Sequence, residues 1–358
     1  MESVIETRTQ RRQQRTQTVN SVAAAALLTS VLSFVSLSLS ACGRSSTTDL
    51  PHVRIAVGGQ NQMVYLPTTL AQQLGFYRDE RIDAELQDFA GGAKALQALV
   101  GGSADVVSGF YDHTIQMAAE GREIVAFVAM LRFPGMILVT SPRHPEITRI
   151  EDLKGRIAGV TTAGSSSQIM LTSMLSRHGI PADAVSITAI GAAATAVAAM
   201  EHGKVDAAMM ADPAFTLVAR RNPAVRVLAD LRTAEGVKNA FGTSTYPGAV
   251  LYSSGGWIRA NTDTTARLAR AIVRTLAWMQ AHTPQEIADK MPKEFRGEDD
   301  ALYVESLKGS MPMFSPDGAM AAEGAEEVRT LLAGSMEKVR TATIDVSKTY
   351  TNQFLHGR

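Results

Sequence analysis

The run Phe89-Ala90-Gly91-Gly92-Ala93-Lys94-Ala95-Leu96-Gln97-Ala98-Leu99-Val100-Gly101-Gly102-Ser103-Ala104-Asp105-Val106 decides how this chain folds. Just before it, Ala84-Glu85-Leu86-Gln87-Asp88 alternates apolar and polar residues as a strand does. Residues 93–100 are good helix formers, and Gly101 and Gly102 end that helix. Asp105-Val106-Val107 then reads as a short buried strand. Strand, helix and strand so closely spaced make a βαβ unit, whose two strands run parallel.

The same alternation extends outward. Upstream, residues 53–57 read as a strand and 66–74 as a helix ended by Gly75. Downstream come a helix at 114–120 and a strand at 124–130. After the strand-like 136–140 and the punctuation of Pro142 and Pro145, the pattern restarts. Strands are expected at 156–160, 185–190, 207–210 and 225–228, with helices at 167–177, 192–201 and 214–220 between them. A turn-rich 236–248 leads to one more strand at 249–252. Beyond Trp257 the sequence is helical: 264–282 carries Leu268, Ile272, Leu276 and Met279 on one face, followed by helices at 284–290, 298–309 and 317–338. The fold class is α/β, with two sets of mainly parallel strands flanked by helices.

The amino terminus carries a different signal. Arg8, Arg11, Arg12 and Arg15 precede an apolar stretch at 22–39 rich in Ala, Leu, Val and Ser, and the small Ser40 and Ala41 lead to Cys42, the only cysteine of the 358 residues. A basic, apolar, small-residue order is that of a secretory leader. It resembles the lipobox of bacterial lipoproteins, which implies a signal peptide over 1–41, a lipid-modified Cys42, a polar linker at 42–51 and a chain held at the membrane in the periplasm or outside the cell. A buried cysteine acting as a small hydrophobe is the alternative. Arg11-Arg12 among glutamines matches twin-arginine export poorly, and five serines between Ser30 and Ser40 dilute the stretch as a membrane span.

Charge excludes one class of partner. The 35 Lys and Arg balance 35 Asp and Glu; without residues 1–41, 31 basic residues face 33 acidic ones. Nucleic acid binding by counterion release needs a basic surface, so no nucleic acid is expected. With one cysteine no intrachain disulfide forms, and core burial alone must hold the roughly two domains that this length allows.

Several phrases now add up to a resemblance. Tyr65-Leu66-Pro67 leading to Leu74-Gly75-Phe76-Tyr77, the run from Phe89 to Val106, Ile150-Glu151-Asp152-Leu153-Lys154-Gly155-Arg156-Ile157-Ala158, and Glu201-His202-Gly203-Lys204-Val205-Asp206-Ala207-Ala208 occur in order. Together they resemble the nitrate/sulfonate/taurine group of ABC-transporter substrate-binding proteins, NMT1/THI5-like. The resemblance implies a two-lobed periplasmic-binding-protein-like (type II) fold. Lobe 1 is expected at 52–142 and 246–345, lobe 2 at 143–245, and a tail at 346–358, with crossings near 140–145 and 243–248. It further implies a monomer without cofactor that captures a small organic anion or related solute and delivers it to an ABC permease and its ATPase.

In open α/β sheets ligands bind beyond the carboxyl ends of the strands, at helix N-termini. Five loops qualify. The first, 58–62, offers backbone amides and Gln62, with Tyr65 just beyond; a surface turn is the alternative. The second holds Gly91 and Gly92, where bare helix amides or a tight turn are equally good readings. In the third, Tyr111 is a candidate for stacking or hydroxyl bonding, and Asp112 and His113 enter a helix beside it; Asp112 as an N-cap is the alternative. The fourth, 161–167, places Ser165, Ser166 and Ser167 at a helix start, for capping or for a bound anion, which is the role the resemblance implies. In the fifth, Asp212 either holds an amine or hydroxyl of the ligand or caps the helix that begins at Pro213.

Catalytic signatures are poor. Gly164-Ser165-Ser166-Ser167-Gln168 fails the G-x-S-x-G spacing, and neither phosphate-binding glycine motif occurs. The seven histidines are scattered without metal-ligand spacing, and the 16 methionines read as core fillers. An enzyme related to those that make the thiamine pyrimidine is a further reading, but that relative uses a cysteine-rich motif which this chain lacks. A solute-sensing domain of a signalling system is the third.

Overall fold

Lys94, Gln97 and Val100 are the exposed positions of the helix Gly92–Val100, whose other six residues are buried. The burial follows the helical period, and the helix packs on the strand that follows it and on the strand His52–Val57. The edge strand β2 (Asp83–Asp88) is only half-buried, whereas β3 (Val106–Phe110), reached through Gly101 and Gly102, is buried at every residue. Both pair parallel with β1 (His52–Val57). The remaining strands are β4 (Ile124–Ala129), β5 (Ile137–Thr140), β6 (Ile157–Val160), β7 (Ser186–Ala189), β8 (Ala207–Met210), β9 (Val227–Asp230) and β10 (Ala249–Ser254). This computed structural model describes residues 50–355; the expected leader, Cys42 and all but the end of the linker lie outside the described residues.

Two five-stranded sheets result, ordered β2-β1-β3-β10-β4 and β7-β6-β8-β5-β9. They share one topology, since β6, β7, β8 and β9 stand where β1, β2, β3 and β4 stand in the first. Each contains one antiparallel strand, β10 in the first and β5 in the second. In both cases that strand is the one by which the chain arrives from the other lobe. The chain leaves lobe 1 after β4, crosses at 130–136 and enters lobe 2 as β5; it returns at 242–248 and enters lobe 1 as β10. The first crossing therefore precedes β5 and does not lie at 140–145, and the strand expected in lobe 1 is built into lobe 2. The two crossings run side by side: the Met130 amide donates to the Ala249 carbonyl at 2.9 Å and the Gly248 amide to Leu131 at 3.2 Å.

Three apolar residues and Thr140 make β5, and both its faces are covered: Leu138 joins the main core, whereas Ile137 and Val139 join the smaller cluster around Val197, Met200 and Val218. Residues 236–248 are not all turn. A helix, Ala234–Phe241, buries Val237, Ala240 and Phe241; the Thr233 side chain caps its first turn and Gly242, at φ 79°, ends it. The single helix expected at 317–338 is two, Ala322–Ser335 and Glu337–Thr341.

The carboxyl-terminal residues close the edge of the first sheet. The Ala126 amide of β4 donates to the Thr349 carbonyl at 2.9 Å, and the Thr351 amide returns a bond to Ala126 at 2.8 Å. Val346 and Phe354 are buried alongside. An exposed sheet edge invites pairing with other chains, and here the protein's own tail takes that place. The helix Ala322–Ser335 meets lobe 2 as well, where the Ser176 hydroxyl donates to the Gly334 carbonyl at 3.1 Å. Among the described residues no helix is long and apolar enough to cross a membrane.

Candidate functional site

The carboxyl ends of the two sheets face each other, and the loops that follow the strands meet between the lobes. Glycines set how closely. A Cβ on Gly58, after β1, would lie 2.8 Å from the Gly92 Cα and 2.9 Å from the Tyr65 hydroxyl. A Cβ on Gly91 would lie 2.7 Å from Thr162 Oγ1 of the other lobe, so the Thr162 side chain rests directly on the Gly91 backbone. Gly91 is in extended conformation (φ 171°), which any residue adopts; contact rather than backbone geometry is what demands glycine. Nearby, the Met63 amide donates to the Asp212 carbonyl across the lobes at 2.8 Å.

Around these glycines stand polar groups withdrawn from water. Tyr65 packs edge-on against Phe110, with ring centroids 6.0 Å apart, and its hydroxyl lies beside Gly58 and Gly92. His113 is fully buried, with Nδ1 3.3 Å from the Tyr252 hydroxyl. Burial pushes its pKa down, against the opposing pull of Asp112 and the Gly164 backbone. Its Nε2 meets no partner in hydrogen-bonding geometry, and neither does the buried Oγ1 of Thr162. Orphaned polar atoms of this kind cost about 1–3 kcal/mol each; of the four among the described residues, these two lie where the lobes meet, and Thr69 Oγ1 and Gln116 Oε1 are the others.

Asp112 crosses the interface. It is fully buried at the start of the helix Asp112–Ala119, and its Oδ1 accepts from the Ser166 hydroxyl of lobe 2 at 2.7 Å. Its Oδ2 accepts from Tyr246, on the second crossing, at 3.2 Å. Burial raises the carboxyl pKa, against the opposing pull of His113, Ser166 and Tyr246.

The other expected site residues are placed differently. Ser165 and Ser167 turn into their own loop: Ser165 donates to the Thr162 carbonyl at 2.7 Å, the two hydroxyls are 2.8 Å apart, and Ser167 accepts from the Thr161 amide at 3.0 Å. Of the three serines, Ser166 reaches across. Gln62 braces the first loop by donating to the Gly58 carbonyl at 3.0 Å. Tyr111 is not a stacking surface for a ligand. Its hydroxyl bonds Thr349 and its ring stands edge-on to Tyr350, so it anchors the tail. Asp212 has its oxygens occupied, Oδ1 by the Thr216 hydroxyl and amide, Oδ2 by Arg232 at 2.9 Å and Ser310 at 3.1 Å. It ties the end of β8 to the residues after β9 and to the helix Asp300–Ser310.

Gly92 remains at an uncapped helix start, beside the His113 ring. The site thus gathers Gly91, Gly92, Tyr65, Asp112, His113 and Ser166, with Thr162, Tyr246 and Tyr252 added. Tyr246 lies in a turn-like crossing and Tyr252 inside a strand, where no local pattern marks a binding residue. None of these nine is a lysine or arginine. A cavity of about 390 Å³ opens next to Asn61, Ala193, Val197, Pro213, Leu217 and Phe295, and so also lies beyond the ends of β1, β7 and β8. Among the described residues no group of His, Cys, Asp and Glu is arranged to hold a metal ion.

Residues 62–287 match the NMT1/THI5-like family, and this stretch includes all nine site residues. A solved structure from Bordetella bronchiseptica RB50 is 38% identical, superposes with a TM-score of 0.82, and covers 85% of this chain and 95% of its own. The alkanesulfonate-binding protein SsuA from Xanthomonas axonopodis pv. citri, solved bound to MOPS, is 18% identical with a TM-score of 0.66, over 84% of this chain and 98% of that one. The periplasmic nitrate-binding protein NrtA from Synechocystis PCC 6803 is 12% identical with a TM-score of 0.68, over 86% of this chain and 87% of that one. These last two share the fold, that of two-lobed binding proteins. The chain belongs to the NMT1/THI5-like family.

Proposed function

We propose that this protein is an extracytoplasmic receptor of an ABC importer, which encloses a small polar organic solute between its lobes and presents the closed form to the permease. The observation that carries the reading is the set of buried, partnerless polar atoms, His113 Nε2 and Thr162 Oγ1, on opposite lobes beside the glycine contact of Gly91 and Thr162. A ligand in the cleft would satisfy both. Two adjacent crossings, 130–136 and 242–248, form the strip about which lobes of this kind hinge. Receptors named for alkanesulfonate and nitrate share the fold. In this chain the nine site residues supply no lysine or arginine, and two of the three serine hydroxyls are used within their loop. That lining favours a solute with hydrogen-bonding groups of both kinds over a bare oxyanion.

Thermal-shift screening of small sulfonates, carboxylates, amines and N-heterocycles tests the reading, since a ligand present at a hundred times its Kd stabilises the native state by about 2.7 kcal/mol. A compound that raises Tm and competes for one calorimetric site is expected; hits that bind equally well when the lobes cannot close would end the proposal. The anchor is a separate expectation. With Cys42 lipidated, the protein sediments with membranes and Cys42→Ser moves it to the soluble extracytoplasmic fraction; unchanged fractionation would remove the tether.

A further inference from the structure

A buried carboxylate normally sits against a cation, because an unpaired charge is costly to withdraw from water. Asp112 has hydroxyls instead, Ser166 on one oxygen and Tyr246 on the other. Burial lowers the pKa of the adjacent His113 imidazole, while Asp112 and the Gly164 backbone pull it up. Besides His113, the carboxyl group faces the amino-terminal end of the twelve-residue helix Ser166–Arg177, which has no side-chain cap, and the start of its own helix. A helix N-terminus is where an anion from solution would settle. Here the Asp112 carboxyl group, from the opposite lobe, meets that helix start through the Ser166 hydroxyl.

We infer that Asp112 is the specificity-determining residue of the cleft: it presents its carboxylate to a ligand group that donates hydrogen bonds, an amine, amidine or amino-heterocycle, and refuses an anionic group at the serine loop. The inference rests on the reading of the cleft as the ligand site. A second observation supports it independently. The buried Thr162 Oγ1 has no partner and the fully buried His113 Nε2 none of good geometry, the Gly164 backbone being the group beside the imidazole; they lie on the two lobes at this interface and can take the remaining polar atoms of such a ligand. Ser166, which bonds the carboxylate across the lobes, is a positioning residue.

The test uses benzamidine and benzoate, which have the same shape and opposite charge, and the pair benzylamine and benzyl alcohol, which differ in donor charge. Binding to the full chain is measured by calorimetry and thermal shift for the wild type, Asp112→Asn, Ser166→Ala and Gly91→Val. The wild type is expected to bind benzamidine and benzylamine in preference to benzoate. Asp112→Asn keeps the shape and an acceptor for Ser166, and should lower affinity for the two cations about tenfold or more while raising the relative affinity for benzoate. Ser166→Ala keeps the carboxylate, so it should weaken all ligands without changing their order; a reordering there would assign selection to the cross-lobe bond and overturn the role of Asp112. A wild type that prefers benzoate, that binds no cationic member, or whose order survives Asp112→Asn also overturns it. Dependence on Gly91 without dependence on Asp112 sinks this inference alone. Independence from both sinks the cleft as the binding site.

Discussion

A chain ending at Asp345 should lose on the order of 5 kcal/mol of folding stability, comparable to the whole stability of a typical domain. Three losses combine. Val346 and Phe354 are almost fully buried, and each removed side chain forfeits about 1.5–3 kcal/mol of apolar burial. The two backbone bonds between Ala126 and residues 349 and 351 contribute about 0.5–1.5 kcal/mol each. The Tyr111 hydroxyl, deprived of Thr349, is left inside the protein without that partner. Urea denaturation of the truncated and full chains measures the difference. The truncated chain should also aggregate more readily, because β4 becomes an open sheet edge. Equal midpoints would mean that the tail merely rests on β4.

How far the sequence could be followed depends on whether the physics is local. The βαβ unit from Asp83 to Phe110 was legible because its period, its glycines and its burial all derive from neighbours along the chain. The position of β5 was not. A four-residue strand, apolar at three positions and buried on both faces, reads the same in either sheet, and only pairing with β8 and β9 assigns it to lobe 2. The helix Ala234–Phe241 hid behind Gly236 and Asn239, poor helix formers whose cost is offset by burial of Val237, Ala240 and Phe241.

Site residues show the same limit more sharply. Tyr111 and Asp112 are consecutive, yet one anchors the tail and the other crosses the cleft. Adjacent residues at a helix start point about 100° apart, so at most a part of any such run can face one ligand. The serine loop obeys the same geometry: three hydroxyls in succession suggested three donors, and Ser166 alone of them reaches the other lobe. Loop position after a parallel strand was the informative signal, since it located the cleft; which side chain looks into it is decided by long-range contacts with Tyr246, Tyr252 and Thr162.

Replacing Gly91 by valine should leave folding almost unchanged and lower ligand affinity about a hundredfold or more. The substitution suits the extended backbone at Gly91, so each lobe folds as before. In the closed form its Cβ would lie 2.7 Å from Thr162 Oγ1 and 3.0 Å from Cγ2, below any comfortable contact. Opening about the two crossings relieves the clash, and the cost falls on closure alone. A penalty of about 2.7 kcal/mol on the binding-competent form lowers the apparent affinity a hundredfold. Calorimetry with any ligand found by screening measures the loss, and small-angle scattering should show a larger radius of gyration for the variant. A second substitution separates sterics from misfolding: Gly91→Ala combined with Thr162→Ala removes Oγ1 and Cγ2 while adding one Cβ. It should recover closure that Gly91→Ala alone does not, leaving the loss of the Thr162 hydroxyl as the residual deficit. If Gly91→Val binds like the wild type, the glycine contact does not gate the cleft and the ligand lies elsewhere.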